Sequence, residues 1–312
     1  MYRPQKKYLI YLLVIFIYIQ LGFNTLLSQS LDIPVKGYGI SFGNSVTFSG
    51  LRFNFRDKEV ERIDGITLGG LGAGAGGDIS GFTFGGLGAG AGRNVIGVTI
   101  GGLGAGAGGS LKGITIGGLA AGAGDDLAGL TIGGLAAGTG KSAFGFQLSL
   151  LAVGAGEDLW GVNIAGGGTG AGNNVTGLNF GGLGLGAGNN LTGLNIGGLG
   201  VGAGNEIRGL SLALLGLGAR AVKGISLAGL GAGAREMTGF TVALAHVRIE
   251  DNGFLTGFAA SAFNYVKGIL KGVSVGIVNY SYSVRGLQLG LVNYVADNPD
   301  GLKILPLFNT SF

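Results

Sequence analysis

The sequence predicts an all-β repeat protein, a parallel β-solenoid of 14–16-residue coils, and three observations carry that prediction. First, the phrase GITLGGLGAGAGGDIS at Gly65 returns every sixteen residues, from Gly81, Gly97, Gly113, Gly129, Gly145, Gly161, Gly177 and Gly193. Self-similarity at a fixed period marks a stacked architecture. Second, large apolar residues alternate with small ones inside each phrase, the period of a strand with one buried face. Third, a Gly-Gly pair shifts that phase by one residue, closing one strand and opening another.

Each unit can be read from its first glycine. The second and fourth residues are large and apolar: Ile66 and Leu68, Phe82 and Phe84, Ile114 and Ile116. The third is small or polar: Thr67, Thr83, Thr99, Thr115 and Thr131, then Gln147, Asn163, Asn179, Asn195 and Ser211. If apolar side chains turn inward, the second and fourth residues face the core and the third faces water. After the Gly-Gly pair, Leu71, Ala73 and Ala75 alternate with glycine as a second, shorter strand, also expected to face inward. Pairs such as Gly77-Asp78, Asp125-Asp126 and Asn189-Asn190 are turn residues. Ile79, Val95, Leu111 and Leu127 then point back inside. Stacked about 4.8 Å apart, such coils would set an Ile/Leu/Phe face against a Leu-Ala-Ala face, large opposing small. Glycine is entropically costly in strands, so an isolated coil is not expected to fold and neighbours must supply the stability.

Composition narrows the class. The chain has 312 residues, 72 of them glycine and only 4 proline. Strict apolar periodicity argues against disorder, and the glycines do not follow the collagen period of three. There is no cysteine, which removes disulfides and thiolate metal sites, and a single histidine, His246. The net charge is +4. Arg3, Lys6 and Lys7 supply most of it from a segment without acids, so the basic balance is poor evidence for nucleic-acid binding.

Four regions follow. Residues 1–30 read as a secretory signal peptide. Arg3, Lys6 and Lys7 form the positive start, and an apolar stretch from Tyr8 to Ile19 is shorter than the ~20 residues of a spanning helix. Ser28 and Ser30 suit a cut before Leu31. Residues 31–64 read as N-terminal cap strands, with LRFNFRDKEVERID dense in charge. Residues 65–208 are the uniform array. Residues 209–312 are degenerate copies and a C-terminal cap, where Phe258, Phe263, Tyr265, Tyr280, Tyr294, Phe308 and Phe312 are expected to close the end of the core. These last copies also suit the competing fold, an antiparallel outer-membrane β-barrel or open meander. Leu287, Leu289 and Leu291 alternate without the phase shift, and about ten strand residues cross a bilayer.

The candidate chemistry is thin. The LGAGAG segments resemble phosphate-binding glycine loops, but a dinucleotide site needs one strand, one glycine turn and a helix. His246 has no second histidine or cysteine to assist it and reads as a structural or surface residue. Asp125-Asp126 and Glu157-Asp158 could suggest calcium, yet the matching pairs elsewhere are Arg93-Asn94, Lys141-Ser142 and Asn189-Asn190, which breaks any metal ladder. The threonine column from Thr67 to Thr131 would form an exposed ladder, as ice- or surface-binding arrays do, although it is one residue wide. No catalytic, cofactor-binding or metal-ligating residue is assigned, and no cofactor is expected.

The C-terminal run GVSVGIVNYSYSVRGLQLGLVNYVADNPDGLKILPLFN resembles a family of bacterial surface repeat-containing proteins. The shared signature G-[VL]-x-[VIL]-G-[IL]-x-N falls at residues 272–279 and 286–293, and a closing N-P-x-G-L-x-x-L-P-[LI] segment at 298–307. The glycine-rich array and LRFNFRD are similar to that group as well. The resemblance implies export and an envelope or surface location, and brings no functional residues. The expectation is a secreted cell-envelope protein, at the surface, the outer membrane or the periplasm. It would act as a structural or interaction scaffold without catalysis, with envelope components as its only suggested partners. The alternatives are an outer-membrane pore and a surface-binding array.

Overall fold

The computed structural model describes residues 30–35 and 38–311. The expected signal peptide therefore lies outside the described residues, apart from Ser30. Every regular element among them is a β-strand. The chain forms two compact units, Met1–Gly124 and Asp125–Phe312.

Both units are built from the same coil. A seven- or eight-residue strand is followed by a bend and a short strand, as in Ile79–Gly85 with Gly88–Ala91 in the first unit. Leu159–Ala165 with Gly168–Ala171 is an example in the second. Equivalent strands of successive coils pair in parallel and in register. Ile79 lies beside Val95 and Gly85 beside Gly101, while Gly88 lies beside Gly104. Long strands thus stack into one sheet and short strands into another. This is a parallel β-solenoid. The repeat ladders do not alternate in direction, so the antiparallel barrel or meander is not what these sequences form.

The facing of the long strand is the reverse of the sequence expectation. Thr67, Thr83, Thr99 and Thr115 of the first unit are buried, as are Thr131, Gln147, Asn163, Asn179, Asn195 and Ser211 of the second. Ile66, Phe84, Ile114, Leu178, Phe180 and Leu210 stand outside. Leu71, Leu87, Leu103 and Leu119, placed inside from sequence, also project into solvent at the bend. The columns that do fill the interior are the alanines Ala73, Ala89 and Ala105, and the isolated apolar residues Ile79, Val95, Leu111 and Leu127, both as expected.

The cause is the width of the gap between the sheets. The fifth residue of the coil faces inward and is small, serine or alanine at Ser149, Ala165 and Ala213 and glycine at Gly85, Gly101 and Gly181. A Cβ built on those glycines would overlap the carbonyl of the short strand opposite, at Gly88, Gly104 or Gly184. The two backbones are in contact at this end, and a leucine or phenylalanine facing inward would force them apart. The third residue sits where a threonine or asparagine fits. Larger side chains enter near the opposite turn, as Ile79 and Leu111 do, and in some coils of the second unit from the short strand, as Leu185 and Leu217 do. The first residue is constrained separately. Gly97 has φ of 124° and Gly177 of 121°, a region L residues avoid. A Cβ there would also collide with the first glycine of the preceding coil.

The ends are closed by polar groups and antiparallel strands. Ser30–Val35 pairs antiparallel with Tyr38–Gly43, which pairs parallel with Thr47–Arg56. In that last strand Phe53 and Phe55 are outside, and Arg52 lies in the buried column beside Thr67 with 0% exposure. Its guanidinium forms a two-pronged pair with Asp57, one arm at 3.1 Å, and Asp57 also accepts the Gly74 N–H at 2.7 Å. A buried charge is tolerated when paired and hydrogen-bonded in this way. At the C-terminal end of the second unit Ile304–Asn309 pairs antiparallel with Val278–Val295. The Asn309 side chain donates to the Asn293 carbonyl at 3.1 Å, and that of Asn298 to the Thr310 carbonyl at 2.7 Å. The bulky residues expected to plug this end lie elsewhere. Tyr265, Tyr280 and Tyr294 stack on the outer face of the short-strand sheet, with centroids 4.8 and 5.2 Å apart, and Phe240 stacks on Phe258. The same narrow gap excludes them from the interior. Phe312 lies outside the described residues.

The two kinds of glycine should respond differently to a methyl group. Gly97→Ala meets both positive φ and a backbone clash, and should cost more than about 2 kcal/mol. Gly104→Ala adds a Cβ with only the Ala120 carbonyl oxygen within 4 Å, at 3.9 Å, in a column that already holds Ala120. It should be near neutral. Urea unfolding of the two variants checks this difference.

Candidate functional surface

The inverted coil gives each unit two contrasting edges. One is the turn that closes the coil, which is polar and hydrogen-bonded from coil to coil. Asp78 accepts the backbone N–H and side-chain amide of Asn94 at 3.1 and 3.0 Å, and Asn94 in turn accepts the N–H of Ser110 at 3.0 Å. These bonds, with Arg93 adding charge, hold the Asp78 carboxyl below its ordinary range. In the second unit Asp158, Asn174, Asn190 and Asn205 form a similar ladder.

This ladder accounts for the acidic pairs considered as calcium ligands. Asp125 is bound by Lys141 at 2.8 Å and Asp126 accepts the Ser142 N–H at 3.3 Å. Asp158 accepts from Asn174. One carboxylate oxygen of each of these three aspartates is engaged across the turn. Among the described residues, no group of three or more His, Asp or Glu stands close enough to hold a metal ion. His246 is exposed on the outer face of the short-strand sheet, paired in register with Gly231 and Phe263 and with its ring packed over Gly231. The threonine column offers no surface at all, because Thr67, Thr83 and Thr99 are enclosed. The surface-binding array read from those threonines therefore loses its basis.

The other edge is apolar. In the second unit the bend carries Leu135, Leu151, Leu183, Leu199, Leu215 and Leu230, all exposed. Beside them the outward face of the long-strand sheet presents Leu178, Phe180, Leu210, Ile225 and Phe240. The first unit repeats the arrangement with Leu71, Leu87, Leu103 and Leu119. Contiguous apolar patches beyond about 300–600 Å² are uncommon on monomeric soluble proteins and mark contact surfaces. Sequence reasoning missed this surface. The available signal was the pairing of the third and fifth residues, which share one face of the strand and are both small. A face of small residues is the one that fits a narrow space.

Between the edges, on the same outward sheet face, runs a column in register through the second unit. Ala128, Phe144 and Trp160 come first, then Thr176, Thr192, Arg208, Lys223, Thr238, Thr256, Lys271 and Arg285. Glu206 binds Lys223 at 2.5 Å and Arg208 at 2.7 Å, and the Lys223 bond is the main reason its carboxyl is held below the usual range.

No family model, curated protein or solved structure matches the chain.

The facing can be tested by paired substitutions. Thr99 is 0% exposed and Leu103 is 50% exposed. Thr99→Asp should cost several kcal/mol, because it encloses an unpaired carboxylate. Thr99→Val removes a hydroxyl that has no partner in the interior and should stay within about 1 kcal/mol of the parent. Leu103→Asp should be mild. Thermal unfolding midpoints of the three variants check the order.

Proposed function

We propose that the chain is a secreted cell-envelope β-repeat protein of a Gram-negative-type bacterium, acting as a structural or interaction scaffold without catalysis. The observation that carries this reading is the exposed apolar edge of each unit. It repeats one contact surface from coil to coil, and such a surface is suited to lying along something extended. The groups that could have carried chemistry have structural tasks: Asp125, Asp126 and Asp158 close turns, Arg52 and Asp57 close an end, and Asn163, Asn179 and Asn195 bond one coil to the next. The basic, apolar start of the chain and the resemblance of the C-terminal repeats to bacterial surface proteins support export.

Location is the first thing to measure. The full chain with a C-terminal epitope tag, expressed in a Gram-negative host, should fractionate with the envelope, and replacing Arg3, Lys6 and Lys7 with Glu should retain it in the cytosol. Recovery of the unaltered chain in the cytosol would overturn the reading.

A further inference from the structure

We propose that the second unit lies on an anionic lipid surface, its leucine edge entering the acyl boundary and its basic column meeting the headgroups. This rests on the envelope reading above and names the partner of the same surface. The exposed apolar residues are the starting point. Leu183 is 61% exposed and Leu199 is 51% exposed, and neither is a lone surface leucine, because each continues a column. The bend brings two adjacent leucines outward in some coils, Leu150 with Leu151 and Leu214 with Leu215.

Shape argues for lipid over a second copy of the chain. The leucines sit at a bend between two sheets, so they form a ridge. Two ridges meet along a line and exclude little water, whereas a stable dimer encloses about 800 Å² on each partner. A fluid acyl phase closes around a ridge and covers both its flanks.

Charge supplies the second argument. The column beside the apolar face holds Arg208, Lys223, Lys271 and Arg285 and no acidic residue. Glu206, in the neighbouring turn, neutralises part of the Arg208 and Lys223 charge; Lys271 and Arg285 are exposed, with Lys271 5.3 Å from the Phe254 ring centre. Trp160, 43% exposed, and Phe144 occupy the same column. Two outward residues along a strand are about 6.6 Å apart, so this column stands roughly 13 Å from the outward residue nearest the bend. A ridge buried ~5–10 Å into the boundary therefore leaves the basic and aromatic column at the depth of phosphate headgroups, where Trp, Lys and Arg are favoured.

The test is co-sedimentation of the purified chain with phosphatidylcholine vesicles, with and without phosphatidylglycerol. The parent should bind the mixed vesicles best, and raised salt should weaken that binding. Leu183→Asp with Leu199→Asp should weaken binding to both vesicle types by about tenfold or more while leaving the circular dichroism spectrum unchanged. Lys271→Gln with Arg285→Gln should lose several-fold in affinity on the mixed vesicles alone. Absence of vesicle binding, or binding indifferent to the leucine pair, overturns the proposal. So does a lipid-free dimer in sedimentation velocity that Leu183→Asp with Leu199→Asp dissociates, which assigns the edge to a second copy. An envelope location with no vesicle binding would leave the scaffold reading standing and remove the lipid one.

Discussion

The separation of the two sheets is the constraint on which the rest of the structure depends. Sheets packed through ordinary side chains lie about 10 Å apart. Here the fifth residue of the coil brings one backbone against the other, and the space beside it takes mostly small side chains, with Val153, Leu185, Val201 and Leu217 the larger ones in the second unit. The small fifth residue, glycine, serine or alanine, follows from that approach. So does the outward placement of the large second and fourth residues of the long strand.

A polar interior follows as well. Asn163 donates to Asn179 at 2.9 Å and Asn179 to Asn195 at 3.0 Å, so identical side chains satisfy one another up the stack. Asn264, Asn279 and Asn293 do the same on the short-strand side, each step 2.8 Å. An enclosed amide is costly alone and acceptable in a chain of donors and acceptors. Such ladders also fix register, since a slip by one residue would place Asn179 against a backbone with no matching amide. The stability of a coil thus comes from its neighbours. The large apolar side chains of the long strand's second and fourth positions and of the bend are left on the outside, available for a partner.

The fold was legible in the sequence because period and phase are properties of spacing. The sixteen-residue repeat gave the coil, the alternation gave the long strand, and the Gly-Gly pair gave the bend. Ile79, Val95 and the alanine column were placed correctly because they lie in the small or isolated positions that the gap accepts. The sign of the alternation was not legible by apolarity. Ile66 and Thr67 alternate equally well with either one inside, and the usual preference for buried apolar residues chose wrongly. The decision rests on the opposing strand, sixteen or fewer residues away, and on whether its backbone leaves room. The apolar edge is hidden by the same preference, which puts Leu71 and its equivalents in the core. The polar turns, in contrast, were read correctly, since Asp, Asn and Gly suit turns whichever way the sheets face.

Because the chain has no cysteine, its facing can be read directly by chemical accessibility. Single replacements Thr99→Cys and Leu103→Cys place one thiol in each kind of column with little change in size or polarity at the enclosed site. A maleimide reagent applied to the folded protein should label the cysteine at 103 rapidly, and the cysteine at 99 only after denaturation. Rapid labelling at 99 with protection at 103 would show the large residues inside and contradict the account.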